Sequence, residues 1–409
     1  MLDLTAAFLV LTAVLAYLNH RFIKLPSTIG VMTIALSLSA VLFALDKVGV
    51  SSLHDHAVAL VGSIDFGTVL MQGMLSLLLF AGALHLDLSE LKTFRWQVGL
   101  LAVFGTLMST LAVGYGLFLM LPWMGLALPL SYCLVFGALI SPTDPIAVMA
   151  ILKSAGAPQS VEIVISGESL FNDGVGVVFF TLILAMAMAG EPPTIAHGAM
   201  LLLREAGGGI VFGLVLGYLT FYLLKSIDSY QEEVLITLAA VLGGYALASH
   251  LHVSGPLAMV VVGLIIGNHG RDLAMSSNTR AYIDMFWELL DAILNSALFV
   301  LIGLQAIVIP FSPTLALAGA ATVVLTLTAR LLLVGMPVGL MRPEFQLPKG
   351  AWQILTWGGL RGGISVALAL SLPFGPERNT IVALTYVVVV FSILVQGLTI
   401  GHVARKVIA

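Results

Sequence analysis

Ser141-Pro142-Thr143-Asp144-Pro145 and Gly167-Glu168-Ser169-Leu170-Phe171-Asn172-Asp173-Gly174 lie inside long apolar runs, and they decide how the rest of the chain is read. A carboxylate at the centre of a membrane helix costs roughly 3 kcal/mol on insertion scales, so such residues are rare and mark function. Three of them, Asp144, Glu168 and Asp173, fall within about thirty residues of one another. The first stands between two prolines. Proline removes a backbone donor, so the span that holds it should unwind and free carbonyl oxygens beside the carboxylate. The combination points to a cation or proton site halfway through a bilayer.

The composition agrees with a membrane setting. The chain has 409 residues, 59% hydrophobic and 9% charged, against about 25% charged in soluble domains. Long apolar runs separated by short polar breaks indicate an all-α helical bundle rather than an outer-membrane barrel with its ten-residue alternation. The net charge of −4 names no partner, and no basic run suggests nucleic acid. Cys133 is the single cysteine, which rules out an internal disulfide and a thiolate metal site. His54-x-His56 and His250-x-His252 have a spacing that could bind metal but read as loop residues at headgroup level, and no cofactor is expected. The first apolar run, Leu4 to Leu18, lacks a basic leader and a cleavage site, so it is read as a first span. The chain stops soon after its last apolar run, so no cytosolic regulatory domain is expected.

Thirteen runs are long enough to be candidate spans, at 4–19, 28–45, 67–86, 97–121, 127–152, 160–189, 198–224, 232–250, 255–268, 285–308, 314–340, 350–373 and 380–403. With the N-terminus outside and the C-terminus inside, twelve of the 17 Lys and Arg fall on the inside. Lys47, Arg204 and Arg378 fall outside, and Arg330 and Arg361 fall within spans. That asymmetry is a positive-inside pattern and supports the count.

A second break lies at Trp357-Gly358-Gly359-Leu360-Arg361-Gly362-Gly363, where four glycines weaken the twelfth span. It stands seven spans after the first break. An odd offset reverses orientation in the membrane, so the two broken helices belong to inverted halves, the pattern of a secondary transporter. On the sixth span Ser169 and Asp173 share a face, and Glu168 and Asn172 share the adjoining one. The expected cage for Na+ is Asp173, Asp144, Ser169 and the Thr143 carbonyl. The same carboxylates accept protons, and competition between ion and proton is enough to couple their movements in opposite directions. Glu168 and Arg361 stand at matching depth, so an ion pair is expected between them. Arg330 is a second buried cation, set either to compensate Asp144 or Asp173 or to neutralise broken-helix ends. Glu288 and Asp291 begin span ten and read equally as ligands or as interface residues. Gly209-x₃-Gly213-x₃-Gly217 and Gly263-x₃-Gly267 read as packing faces.

Together, Ser-Pro-Thr-Asp-Pro at 141–145, Gly-Glu-Ser-Leu-Phe-Asn-Asp-Gly at 167–174 and Gly-Leu-Arg-Gly-Gly at 359–363 resemble the monovalent cation/proton antiporter family 1, which includes bacterial NhaP-type antiporters and eukaryotic sodium–proton exchangers. The resemblance implies an NhaA-like antiporter fold of thirteen helices with two broken crossing helices, working as a homodimer in the bacterial inner membrane. It implies an ion-transporting core (97–190 and 314–409), a dimerisation and gate domain (1–96 and 225–313) and a linker helix (191–224). It makes the residue at Asp173 the essential ion and proton carrier, with Thr143, Asp144 and Ser169 completing the site and Glu168 with Arg361 as a structural pair. Asparagine at 172 goes with electroneutral exchange. Some relatives add a glutamate from span three; here Leu77 to Leu88 offers only Asp87, near the inner edge. The leading expectation is thus an electroneutral Na+(Li+)/H+ antiporter serving pH homeostasis, not an enzyme, whose partners are membrane lipids, a second copy and the transported ions. K+/H+ exchange on the same scaffold is the alternative. An intramembrane aspartyl protease using Asp144 and Asp173 is a remote one.

Overall fold

A computed structural model describes residues 2–49, 51–62, 67, 69–189, 200–309 and 312–408. The side chains of His54 and His56, and the stretch 190–199 where the expected linker begins, lie outside the described residues. Every regular element among the described residues is helical. This is what lipid demands of a chain this apolar, because a helix satisfies its backbone groups internally. Nine helices among them are long and apolar enough to cross a membrane, from Ala6–Ile23 near the start to Pro376–Val407 at the end. Val69–Leu84, Leu130–Ile140 and Gly255–Gly270 are shorter apolar helices.

Both interruptions are present. The first separates Leu130–Ile140 from Ile146–Ala155, with Pro142 and Pro145 in the gap. The second separates Ala351–Trp357 from Gly363–Leu370, with Gly358, Gly359 and Gly362 in the gap. Around them pack Arg95–Met124, Gln159–Met188, Pro313–Leu340 and Pro376–Val407. Leu130–Ile140 lies against the first two of these, Gly363–Leu370 lies against Pro376–Phe391, and Ile146–Ala155 lies against Gly397–Ile408.

A second group forms around Gly255–Gly270, which packs on Val69–Leu84, Met200–Lys225 and Tyr230–His250. Both glycine runs meet there. A Cβ on Gly267 would come 2.2 Å from the Leu84 carbonyl oxygen, and one on Gly213 would come 2.8 Å from that of Ala258. Small residues let the backbones approach this closely, and close packing is the main attraction between helices in lipid. Ser277–Gln305 joins the group and also lies along Ser27–Lys47. Its Trp287 is fully buried, packed in a tilted ring pair with Phe80 at 4.5 Å between centroids, and donates to the Thr237 hydroxyl at 3.1 Å.

The expected start of span ten at 285 is corrected. The helix begins at Ser277, two turns earlier, where the Ser276 hydroxyl accepts from Thr279 N–H. The apolar run marks only the part that meets lipid or core, whereas the cap marks the true start. Glu288 and Asp291 are therefore interior positions of a 29-residue helix rather than its first turn.

Candidate functional site

The two gaps touch. Asp144 N–H donates to the Leu360 carbonyl at 2.7 Å, so one extended segment pairs with the other through its backbone. Arg361 N–H donates to Ser392 Oγ at 2.9 Å, Ser392 donates to Gln396 Oε1 at 2.7 Å, and Gln396 Nε2 returns to the Trp357 carbonyl at 2.9 Å. The final helix thereby supplies partners that unwinding removed from the second broken helix.

Breaking two helices also creates two C-terminal ends with unsatisfied carbonyls and partial negative charge. An arginine covers each. Arg361 donates to the carbonyls of Ser141 and, at 3.0 Å, Pro142, which follow the Leu130–Ile140 half-helix. Arg330 donates to the Leu355 carbonyl in the last turn of Ala351–Trp357, from Nε at 3.3 Å and Nη2 at 3.1 Å. The remaining Arg330 donors form a two-point ion pair with Glu168, Nη2 to Oε2 at 2.9 Å and Nη1 to Oε1. The expected Glu168–Arg361 pair is thus corrected: the partner of Glu168 is Arg330. Matching depth along the chain does not fix a partner, because the choice depends on which way each helix face points. All three side chains are buried.

The helix starts face the other way. Asp144 Oδ1 accepts Ile146 N–H at 2.9 Å, so this carboxylate holds the N-terminal end of the second half-helix. Its Oδ2 lies against Gly362, where a Cβ would sit 2.1 Å away. Only glycine fits there. Asp144 thus sits between the starts of Ile146–Ala155 and Gly363–Leu370, where the helix dipoles favour negative charge.

Gln159–Ala189 carries the rest. Asn172 reads Thr143 twice, accepting its N–H at 3.2 Å and donating to its hydroxyl at 2.9 Å. The Thr143 hydroxyl meets Ser169 Oγ at 3.0 Å. The structure therefore brings Thr143, Ser169 and Asn172 into one network and sets Asp173 beside it. Asp173, Asp144 and Thr143 line a cavity of about 590 Å³. Ser169, Asn172 and Glu168 are buried behind that wall.

Across the cavity stand Glu288, Asp291 and Asn295 of Ser277–Gln305, with Ser365 on the half-helix after the second break. His85 and Lys153 also line the cavity. Of these, Asp291 was readable only as one of two options, and Asn295 and Ser365 were missed. The available signal was Asp291 and Asn295 at i, i+4 in an apolar helix, and a serine three residues after Gly362. Asp87 is not a site residue. It is exposed and caps the short helix Leu88–Thr93, accepting Ser89 N–H at 2.7 Å. Hydrogen bonds from Ser89 hold its carboxyl below the usual carboxylate range. Span three accordingly presents Leu78, Leu79 and Gly82 to the cavity, without a carboxylate.

Two carboxylates, a hydroxyl pair and an unwound backbone make an all-oxygen site suited to a hard cation. No group of three or more His, Cys, Asp and Glu that could hold a metal is found among the described residues. His250 instead closes its own helix on the Ala246 carbonyl.

The comparisons with known proteins converge. The family described as "Sodium/hydrogen exchanger, transmembrane" matches residues 10–406. The Na(+)/H(+) antiporter NhaP of Pseudomonas aeruginosa is 54% identical, over 100% of this chain and 97% of its own. The Na(+)/H(+) antiporter NhaH of Halobacillus dabanensis is 35% identical over 83% of each. Among solved structures, the sodium proton antiporter MjNhaP1 of Methanocaldococcus jannaschii superposes with a TM-score of 0.75 at 20% identity, covering 99% of this chain and 97% of that one, which establishes likeness of fold. With the motifs, the two touching breaks and a match along nearly the whole length in agreement, this chain belongs to the sodium/hydrogen exchanger family.

Proposed function

We propose that this chain is an electroneutral Na+(Li+)/H+ antiporter in which one ion and one proton compete for a site formed by Asp173, Asp144, Thr143 and Ser169. One observation carries the reading. Both buried arginines are committed elsewhere, Arg330 to Glu168 and Arg361 to helix-end carbonyls. Among the described residues no lysine or arginine forms an ion pair with Asp144 or Asp173. Two carboxylates in a partly dehydrated cavity need a neutralising charge. A mobile cation or a proton supplies it, and neither is needed when the other is present. The names of the relatives favour Na+ over K+. Membership of an exchanger family leaves the protease reading of the two aspartates without support.

The two packing groups support a division into a core, built from 97–190 and 314–409, and a dimerisation and gate part, built from 1–96 and 225–313 and joined by 191–224. The cavity lies where they meet, with Asp144 and Asp173 on one wall and Asp291 on the other. In this reading the chain has thirteen spans with its N-terminus outside, the cavity opens inward past Lys153, and the core slides against a partner-bound scaffold to expose the site on the other side. Asn172, Glu168, Arg330 and Arg361 support the site without touching the ion.

The test is exchange by purified protein in liposomes with Na+, Li+ and K+ tried separately, with and without an imposed voltage. Na+ and Li+ should drive proton movement that voltage leaves unchanged, and Asp173→Asn should abolish it while the protein stays folded. Normal exchange by that variant would overturn the assignment of the site.

A further inference from the structure

Ser365 is the third residue of the half-helix Gly363–Leu370, it is 1% exposed, and its hydroxyl has no hydrogen-bond partner. A buried polar group left in that state costs free energy and calls for an explanation. Many serines and threonines in the other helices settle the matter locally, by donating to the carbonyl three or four residues back. Ser39 bonds Ala35, Thr322 bonds Ala318 and Thr385 bonds Ile381. For Ser365 the residues three and four back are Gly362 and Arg361, which lie in the break, so the usual acceptors are not in helical position. The interruption that frees the backbone also frees this hydroxyl.

Its position is informative. Ser365 lines the same cavity as Asp173, Asp144 and Thr143. None of the other residues with a buried, unpartnered side-chain oxygen among the described residues, Asn19, Ser76, Glu233 and Gln305, lines this cavity. Ser365 follows Gly362 by three residues, and Gly362 is the backbone that presses on Asp144 Oδ2. Residues three apart at a helix start share a face. Ser365 therefore stands one turn into the half-helix whose first backbone touches Asp144, and it lines the same cavity.

We propose that the Ser365 hydroxyl is a ligand for the transported cation, supplied by the second broken helix, and that it sets part of the affinity and of the choice among monovalent ions. The proposal rests on the carboxylate site described above. It gives each broken helix one oxygen ligand in addition to the aspartates, so that the bound ion ties the two breaks together. A hydroxyl oxygen has lone pairs for a cation and takes no proton at physiological pH. Ser365 thus strengthens the ion's side of the competition and leaves the proton's side alone.

The experiment compares wild type, Ser365→Ala, Ser365→Cys and Asp173→Asn in liposomes, with thermal unfolding of each in detergent with and without Na+. Ser365→Ala removes a hydroxyl that has no partner, so its stability without ions should equal or exceed wild type. Its KM for Na+ should rise about tenfold with kcat within about twofold, the pattern of a lost binding contact. The Na+-induced rise in Tm should shrink in step. Ser365→Cys replaces a hard ligand with a soft one, so transport of Tl+ should gain relative to Na+. Wild-type KM and wild-type Na+ stabilisation in Ser365→Ala, or an unchanged Tl+/Na+ ratio in Ser365→Cys, would overturn the proposal. If Asp173→Asn is silent while the Ser365 variants behave as wild type, the serine assignment alone fails. If Asp173→Asn still exchanges, the carboxylate site itself fails.

Discussion

Arg330 and Arg361 have the same charge and are both buried, yet they have different tasks. Arg330 forms an ion pair with a buried carboxylate, whereas the Arg361 guanidinium hydrogen-bonds to helix-end carbonyls. Removing one partner of a buried pair strands the other charge, which costs about 3–5 kcal/mol. Arg330→Ala should therefore lower unfolding stability by about that amount, and removing Glu168 as well should recover part of the loss. A double-mutant cycle checks this. Coupling of Glu168 to Arg361 stronger than to Arg330 would reverse the assignment. Asn172 makes a second residue-scale case. It presents an acceptor to Thr143 N–H and a donor to Thr143 Oγ1. Asn172→Asp keeps the acceptor, loses the donor and adds a charge beside the site. The expected outcome is retained exchange that now responds to an imposed voltage, read as a voltage-dependent rate in liposomes. A flat response would count against the charge argument.

At the scale of elements, breaks and packing faces were legible because they depend on residue type alone. Pro142 and Pro145 lack the donor a continuous helix needs, and Gly362 sits where a Cβ would strike Asp144. The glycine runs were legible for the same reason, since small residues at i, i+4 have few other uses in an apolar helix. Gly267 tests their role. A Cβ there meets the Leu84 backbone at 2.2 Å, and backbone cannot move aside as a flexible side chain can. Gly267→Ala should destabilise by about 1–3 kcal/mol, the usual cost of overpacking. Gly243 has nothing within 4 Å, so Gly243→Ala should be neutral or stabilising by up to about 1 kcal/mol. Equal Tm shifts for the two would refute this packing argument. The start of Ser277–Gln305 was not legible, because the polar turns before its apolar run look like loop until Ser276 is seen capping them.

On the scale of the whole molecule, two helix groups meet across a cavity that has acids on both walls. If ion and proton exclude each other, lowering the pH protonates the site and raises the apparent KM for Na+. Below the pKa of the site the rise should approach about tenfold per pH unit, with little change in the maximal rate at saturating Na+. Proton inhibition that saturating Na+ cannot relieve would point to a separate proton site. Asp291→Asn offers a companion measurement. It removes a charge from the wall opposite Asp144, so Na+ should bind more weakly, by about two- to fivefold in KM, while exchange persists.

Residue chemistry along the chain was enough to establish a helical membrane protein, its two interruptions, and the aspartates, serine and threonine gathered near them. These follow from what lipid forbids and from what proline, glycine and carboxylates do wherever they stand. Which arginine meets Glu168, why Asp291 belongs to the cavity and why the Ser365 hydroxyl is left over all waited on the packed structure. Each depends on the direction a helix face points once its neighbours are in place, and spacing along one helix carries no record of that direction.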